Sequence, residues 1–174
     1  MRFRYVVVLV LIVSCFNYTS LAKSGTRTNK KKGNYNMVLV PGKSLGDISI
    51  GETRGSLVKK GFVLDEIRDT SKYLKKENIL VVLEDNRAVQ IWFESMNLSS
   101  LSLRGQKFPN INSPEVLRNF FKDCEPEYKG SGGILIYCEN RGVELAYSFS
   151  KALQGLSVVT PAVANLVVGP RQKK

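Results

Sequence analysis

Two stretches of the chain alternate between apolar and polar side chains in the way that β-hairpins do. Residues 79–84 (ILVVLE) recur at 134–139 (ILIYCE), and residues 86–93 (NRAVQIWF) recur at 140–147 (NRGVELAY). Each copy has a run of β-branched or aromatic residues, a polar turn built on Asn-Arg and a second alternating run. The pattern therefore predicts two hairpins that arise from an internal repeat.

A short helix signal precedes each hairpin. Thr53 is a typical helix N-cap, and Gly61 is typical of a helix end. Ser113 is a second N-cap, with Pro114 at the first helical position. The apolar residues of the two predicted helices are Leu57 and Val58 in the first, and Val116, Leu117, Phe120 and Phe121 in the second.

The predicted fold is α+β: tandem helix-plus-β-hairpin repeats that form one antiparallel sheet with the helices packed on one face. The repeats cover about residues 41–95 and 101–150. The alternation assigns these residues to the helix-facing side: Ile79, Val81, Leu83, Val89, Ile91, Phe93, Ile134, Ile136, Cys138, Val143, Leu145 and Tyr147.

The opposite face of the predicted sheet is too apolar for an idle solvent surface. It carries Leu80, Val82, Gln90, Trp92, Leu135, Tyr137, Glu144 and Ala146. Aromatic side chains dominate binding energy at protein interfaces, so Trp92 and Tyr137, flanked by Gln90 and Glu144, are the candidate protein-binding residues. Alternatively, the apolar residues 156–168, interrupted by Pro161, fold over this face and make both aromatic residues part of the core.

The N-terminus predicts export. Met1 to Arg4 form a short basic stretch, and about nine apolar residues follow, which fits a signal peptide over residues 1–22 and is too short for a membrane span. Cleavage before Cys15, with lipidation of that cysteine, is one reading, because residues 12–15 resemble a bacterial lipobox. Cleavage after Ala22 is the other.

Composition then divides the mature chain into a linker of residues 23–36, a folded domain of residues 37–150 and a tail of residues 151–174. The linker is rich in Ser, Thr, Asn, Gly and Lys and is predicted to be flexible. The net charge of +11 is concentrated in the ends of the chain, since residues 15–36 carry five basic and no acidic side chains. This distribution favours contact with anionic lipid or polymer through Lys30, Lys31 and Lys32 over a nucleic-acid groove. The plainest alternative is that the basic segment is a solvated, disordered tether.

The three cysteines are consistent with an oxidising compartment. If Cys15 is lipidated or removed, Cys124 and Cys138 remain as an even pair. A bridge between them would close a loop of about fifteen residues and stabilise the fold by roughly 3 kcal/mol. Two reduced, buried cysteines are the alternative.

The chain contains no histidine, which removes the commonest general base and the commonest zinc ligand. Its acidic residues are scattered, and the Gly-Lys-Ser at residues 42–44 lacks the earlier glycine of a phosphate-binding loop. We therefore expect neither enzymatic activity nor a metal ion or cofactor.

Residues 41–54, with Leu57 and Gly61 behind them, resemble the opening "I-x-x-G-M-T-R-x-x-V" of small exported bacterial proteins. These include the tandem-repeat β-lactamase inhibitor proteins and the small lipoproteins of outer-membrane protein assembly. The resemblance covers about residues 41–150, and the spacing of Cys124 and Cys138 is similar to that of the helix-to-strand disulfide in the inhibitor repeats. It implies binding of another protein through the open sheet face and adjoining loops.

The sequence thus predicts a non-enzymatic binding module, exported to the cell envelope as a lipoprotein or else periplasmic or secreted, whose partner is another protein. The alternative is a surface adhesin that binds a polyanionic polymer or host matrix through its basic linker and C-terminal lysines. A salt-sensitive interaction that depends on the basic ends would distinguish the second function from the first.

Overall fold

The computed structural model describes residues 37–68, 72–94, 98–110, 113–130 and 132–168. The predicted signal peptide, Cys15, the basic linker with Lys30, Lys31 and Lys32, and the C-terminal lysines lie outside these ranges. No helix within the ranges is both long enough and apolar enough to cross a bilayer.

Strands dominate the fold, and three short helices accompany them, so its class is α+β. The strands are β1 (Met37–Val40), β2 (Ser44–Leu45), β3 (Ile48–Ser49), β4 (Val63–Leu64), β5 (Tyr73–Lys76), β6 (Ile79–Glu84), β7 (Arg87–Phe93), β8 (Leu101–Leu103), β9 (Gln106–Lys107), β10 (Tyr128–Gly130), β11 (Gly133–Cys138), β12 (Val143–Tyr147) and β13 (Leu153–Val159). The helices are α1 (Arg54–Lys59), α2 (Pro114–Phe120) and α3 (Pro161–Val168), with 3-10 turns at Glu66–Arg68 and Glu139–Arg141.

Both repeated segments form hairpins in one antiparallel sheet of eight strands, in the order β10-β11-β12-β13-β7-β6-β5-β4. The two hairpins do not pair with each other. Strand β13, from the part of the chain after residue 150 that the sequence suggested was a tail, lies between them and pairs with β12 on one side and β7 on the other. The folded sheet therefore extends to residue 159.

The turn of the β6–β7 hairpin changes one expected side-chain assignment. Its two central residues, Asp85 and Asn86, both have positive φ angles, as a two-residue hairpin turn requires. A bulge next to the turn pairs Leu83 with Ala88, so Ala88 points into the core and is 1% exposed. Val89, which strict alternation assigns to the core, is only partly buried.

The capping signals position α1 and α2 as the sequence predicts. The Thr53 hydroxyl accepts a hydrogen bond from the backbone N–H of Ser56, and the Ser113 hydroxyl accepts one from the N–H of Val116, both at 3.3 Å. Each helix buries one leucine, Leu57 in α1 and Leu117 in α2, and both belong to the main core cluster.

A second, smaller sheet completes that core. Its order is β3-β2-β1-β8-β9, and the β1–β8 pair is parallel. Leu39 of β1 and Leu103 of β8 share the core cluster with the helix-facing residues of the large sheet. The loop after β1 also packs closely on the large sheet, because the N–H of Gly42 donates to the carbonyl of Gly142 at 2.9 Å.

A disulfide bond joins Cys124, which follows α2, to Cys138 at the end of β11. Cys138 is fully buried on the helix-facing side of the sheet, where the alternation of β11 puts it. The bond ties the segment after α2 to the second hairpin.

Candidate protein-binding face

The four predicted binding residues lie on one face of the eight-stranded sheet, which we call the outer face because α1, α2 and the small sheet cover the other one. Strand register aligns three of them in one row across the sheet, which runs through Lys75, Leu80, Trp92, Ser157, Glu144 and Tyr137. Gln90 lies next to this row, two residues from Trp92 on β7. Trp92 and Tyr137 are three strand spacings apart, about 14 Å, because β13 separates the two hairpins.

Trp92 is seated on a glycine. Gly155 of β13 is buried beneath it, and a methyl group added to Gly155 would come within 2.7 Å of Cζ2 of the Trp92 ring. The same methyl group would lie 2.8 Å from the carbonyl oxygen of Phe93. The missing side chain at Gly155 thus provides a flat site for the indole, which stays partly exposed.

The polar residues of the outer face form a hydrogen-bonded cluster around one carboxylate. The Tyr137 hydroxyl donates to Oε2 of Glu144 at 2.6 Å, and the Ser157 hydroxyl donates to Oε1 at 3.2 Å. The Gln90 amide donates to Oε1 of Glu144 at 3.3 Å and to the Ser157 hydroxyl at 3.0 Å. Both oxygens of this buried carboxylate therefore have donors.

The pKa values of the cluster follow from burial. Desolvation raises the pKa of Glu144 above its ordinary value, and the hydrogen bonds from Tyr137, Ser157 and Gln90 oppose that rise without cancelling it. Desolvation, with the nearby Glu144 carboxylate, also raises the pKa of the Tyr137 hydroxyl. Tyr137 thus remains a hydrogen-bond donor at every physiological pH.

Helix α3 covers one end of the row. Ala164 of α3 packs with Tyr137 of β11 and Val159 of β13 in a small second cluster, and Tyr137 is only 1% exposed. The helix is capped by the Thr160 hydroxyl, which accepts from the N–H of Val163 at 3.2 Å. The alternative prediction, that residues 156–168 fold over this face and bury both aromatic residues, therefore holds for Tyr137. Trp92 stays partly exposed.

A buried arginine fastens α3 to the body of the protein. Arg141 is 6% exposed and donates from Nε to Oε1 of Glu125 at 2.8 Å and from Nη1 to Oδ1 of Asn165 in α3. These contacts hold the covered end of the outer face closed.

None of the helices in the described ranges covers the other end of the row. Lys75 and Glu94 form an ion pair there, with 3.0 Å between Nζ and Oε2, and both side chains are partly exposed. Val82 and Gln90 are also partly exposed. The accessible part of the outer face is therefore the region around Trp92, with an apolar centre and a charged rim.

Three residues that build this face were not predicted from the sequence: Ser157, Gly155 and Arg141. The first two lie on β13, whose run of apolar residues shows no period-two pattern that would separate its faces. The third is in the polar turn of the second hairpin, where exposure is the usual outcome. The one available signal was Glu144 itself, because an acidic residue that is buried within a strand needs hydrogen-bond donors nearby.

Within the described parts of the chain, no group of acidic or cysteine side chains could hold a metal ion. Comparison with known proteins identifies no relative of this chain: no protein-family model, no curated protein and no solved structure matches it.

Proposed function

We propose that the protein is a non-enzymatic binding module of the cell envelope that binds another protein through the accessible part of its outer face. The partly exposed Trp92, whose ring packs against Gly155, is the observation that supports this most directly. An immobilised indole offers a large contact area at a low cost in conformational entropy.

The residues around Trp92 fit the anatomy of an interface. The centre is apolar: on the neighbouring strand Val82 is partly exposed and Leu80 is buried. The Lys75–Glu94 ion pair lies at the rim. Both donors from Gln90 are engaged by Glu144 and Ser157, so its orientation is fixed before a partner arrives. In this proposal Tyr137 and Glu144 act as positioning residues beneath the surface.

Export and the repeat architecture belong to the same proposal. The disulfide bond supports an oxidising compartment, since such bonds rarely persist in the cytosol. Two capped helices, each followed by a hairpin in the same sheet, support a tandem-repeat fold like that of the inhibitor proteins and assembly lipoproteins the sequence resembles. A lipid on Cys15 would then hold the domain at a membrane.

A quantitative capture experiment tests the binding site. Envelope extracts are passed over the wild-type protein, Trp92→Ala and Tyr128→Ala, and the retained proteins are quantified by mass spectrometry. Tyr128 is the matched control, because it is an aromatic residue with 40% exposure on the edge strand β10. We expect a partner whose recovery falls at least about tenfold with Trp92→Ala and not with Tyr128→Ala. Equal recovery on all three would refute the site.

The runner-up function is polyanion binding by the basic ends of the chain. The observation that favours it is the concentration of Lys23, Arg27 and Lys30 to Lys32 in a segment without acidic residues. Its signature is an affinity that falls steeply with salt, disappears when residues 23–36 are removed and does not depend on Trp92.

A further inference from the structure

Four exposed aliphatic side chains fall within the ten residues 58–67. Val58 is 51% exposed, Val63 65%, Leu64 47% and Ile67 84%. The other large exposed hydrophobic residues in the described ranges, Val38, Val40, Tyr128 and Phe149, are distributed over β1, β10 and the loop after β12. We call the first four residues the edge patch, because β4 is the last strand of the large sheet.

The edge patch belongs to an ordered segment of the fold. Leu57 and Phe62 of the same segment are 0% and 2% exposed, and the N–H of Phe62 donates to the carbonyl of Leu57 at 3.1 Å. Strand β4 pairs with β5 through Val63 and Lys75. The segment is thus anchored in the core through Leu57 and Phe62, and the aliphatic side chains beside them face the solvent.

Basic residues are concentrated in the same part of the domain. Residues 54–76 carry seven basic and three acidic side chains, whereas the rest of residues 37–168 carries nine basic and twelve acidic ones. The domain therefore has a positive end and a weakly negative remainder, and the edge patch lies in the segment that is positive.

An open depression adjoins the patch between α1 and the turn of the β6–β7 hairpin. Its lining comprises Thr53, Arg54, Gly55, Val58, Lys59, Asp85, Asn86 and Arg87. Arg54, Lys59 and Arg87 make no ion pair with any residue in the described ranges. Three unpaired cations against one carboxylate make this depression suitable for an anionic group next to the aliphatic Val58.

From these observations we infer that the end of the domain formed by α1, β4 and the following turn is a membrane-contact surface, which docks on anionic phospholipid. The edge patch enters the boundary between headgroups and acyl chains, and the basic side chains of the depression contact lipid phosphates. This inference does not rest on the binding face around Trp92, although the two surfaces adjoin where Val63 pairs with Lys75 at the charged rim of that face.

The chemistry of the patch favours a lipid surface over a protein partner. The exposed side chains of the edge patch are all aliphatic, without the Trp or Tyr anchors that dominate protein interfaces. The arginines beside the patch, Arg54 and Arg87, line the depression that we assign to lipid phosphates. The depression takes in Val58 but not the other three, which extend from an edge strand and a turn. A second copy of the chain would bring two positive ends together, which electrostatic repulsion opposes.

Vesicle sedimentation with the full chain tests the inference. The probes are vesicles of phosphatidylcholine alone and of phosphatidylcholine with phosphatidylglycerol. Ile67→Ser and Val63→Ser remove apolar surface without changing charge, so any contribution of the basic linker stays constant. Val38→Ser is the matched control, since Val38 is also a strand valine and is 49% exposed. We expect each edge-patch variant to lower partitioning into the anionic vesicles about fivefold, and the control to leave it unchanged.

Two further measurements separate the apolar and electrostatic parts. Lys59→Gln should lower partitioning about fivefold at low salt and by less at high salt, where the charge is screened. An Ile67→Trp variant should gain fluorescence quenching by brominated acyl chains relative to a Val38→Trp variant, because only the first indole enters the bilayer.

Three results would overturn the inference. The first is wild-type partitioning of both serine variants together with equal quenching of the two tryptophan variants. The second is equally strong binding to vesicles of phosphatidylcholine alone. The third is an unchanged vesicle affinity with a loss of self-association in sedimentation velocity, which would identify the patch as an interface between copies of the chain.

Discussion

The hydrogen bond from Tyr137 to Glu144 gives the sharpest test of the structure. Tyr137→Phe removes one hydroxyl and leaves the ring, which is 1% exposed and packed under α3. The bond is short, at 2.6 Å, and its acceptor is a buried carboxylate. Removing a donor from a buried charged group typically costs about 1.5–3 kcal/mol, so we expect a loss of about 2 kcal/mol in the free energy of unfolding.

This loss should depend on pH in a defined direction. The Tyr137 bond lowers the pKa of Glu144 against the larger effect of burial, so its removal raises the pKa of that carboxyl further. The charged carboxylate loses more from the missing donor than the protonated acid does. The destabilisation should therefore be greatest at pH values above the raised pKa of Glu144 and should shrink as the pH falls through that raised value, because below it the carboxyl is protonated in both proteins.

Urea unfolding followed by circular dichroism, at about pH 4 and about pH 8, measures both quantities. Tyr128→Phe is the control, since Tyr128 is 40% exposed. A double-mutant cycle with Glu144→Gln isolates the pairwise contribution. The assigned hydrogen bond is wrong if the free energy of unfolding of Tyr137→Phe stays within about 0.5 kcal/mol of the wild-type value at both pH values. It is also wrong if Tyr128→Phe loses as much stability as Tyr137→Phe.

Three other perturbations have defined outcomes. Gly155→Ala should lower stability by about 2 kcal/mol, because the added methyl group would meet the ring of Trp92 at 2.7 Å. Trp92 is the single tryptophan of the chain, so an unshifted fluorescence emission in this variant would contradict the packing of its ring against Gly155. Glu144→Gln should flatten the pH dependence of stability. Because its pKa is raised in the folded state, Glu144 stabilises the wild type below the ordinary glutamate pKa, and this stabilisation is lost as the pH rises through the raised value. Urea unfolding of the wild type should therefore change with pH across that range, and unfolding of the variant should change less. Replacing Cys124 and Cys138 together by Ser should lower stability by about 3 kcal/mol, and the melting of the variant, unlike that of the wild type, should not respond to reductant.

The elements that short-range chemistry determines were predictable from the sequence. The hydroxyl of a capping residue bonds a backbone N–H three residues away, so Thr53 and Ser113 identify their helices by themselves. The β6–β7 hairpin closes over the two residues Asp85 and Asn86, which makes it a local structure as well.

The elements that the sequence analysis missed depend on distant partners. Strand β13 pairs residue 156 with residues 93 and 145, and nothing within its own seven residues identifies those partners. Several strands of the small sheet are two residues long, which is too short for a period-two pattern to appear. The bulge that exchanges Val89 for Ala88 arises from the fit of a tight turn to its strands, so alternation alone misassigned that position.

The sequence predicted which residues form the candidate site but not how deeply each of them is buried. Alternation placed Gln90, Trp92, Tyr137 and Glu144 on one face, and register aligns them there. Their accessibility depends on α3, which reaches Tyr137 only because β13 directs the chain across the middle of the sheet. The different environments of the two aromatic residues therefore follow from topology.

The position of β13 also has a consequence for the order of folding. The two hairpins can form as soon as their own residues are available, but each then presents an open edge, β7 on one and β12 on the other, until β13 arrives from later in the chain. Unpaired edges of apolar strands recruit other chains, and pairing across such long sequence separations is slow. A nascent chain in which β13 has yet to emerge from the ribosome cannot complete the sheet. The intermediate that precedes the pairing of β13 is therefore the species that a chaperone would protect from aggregation.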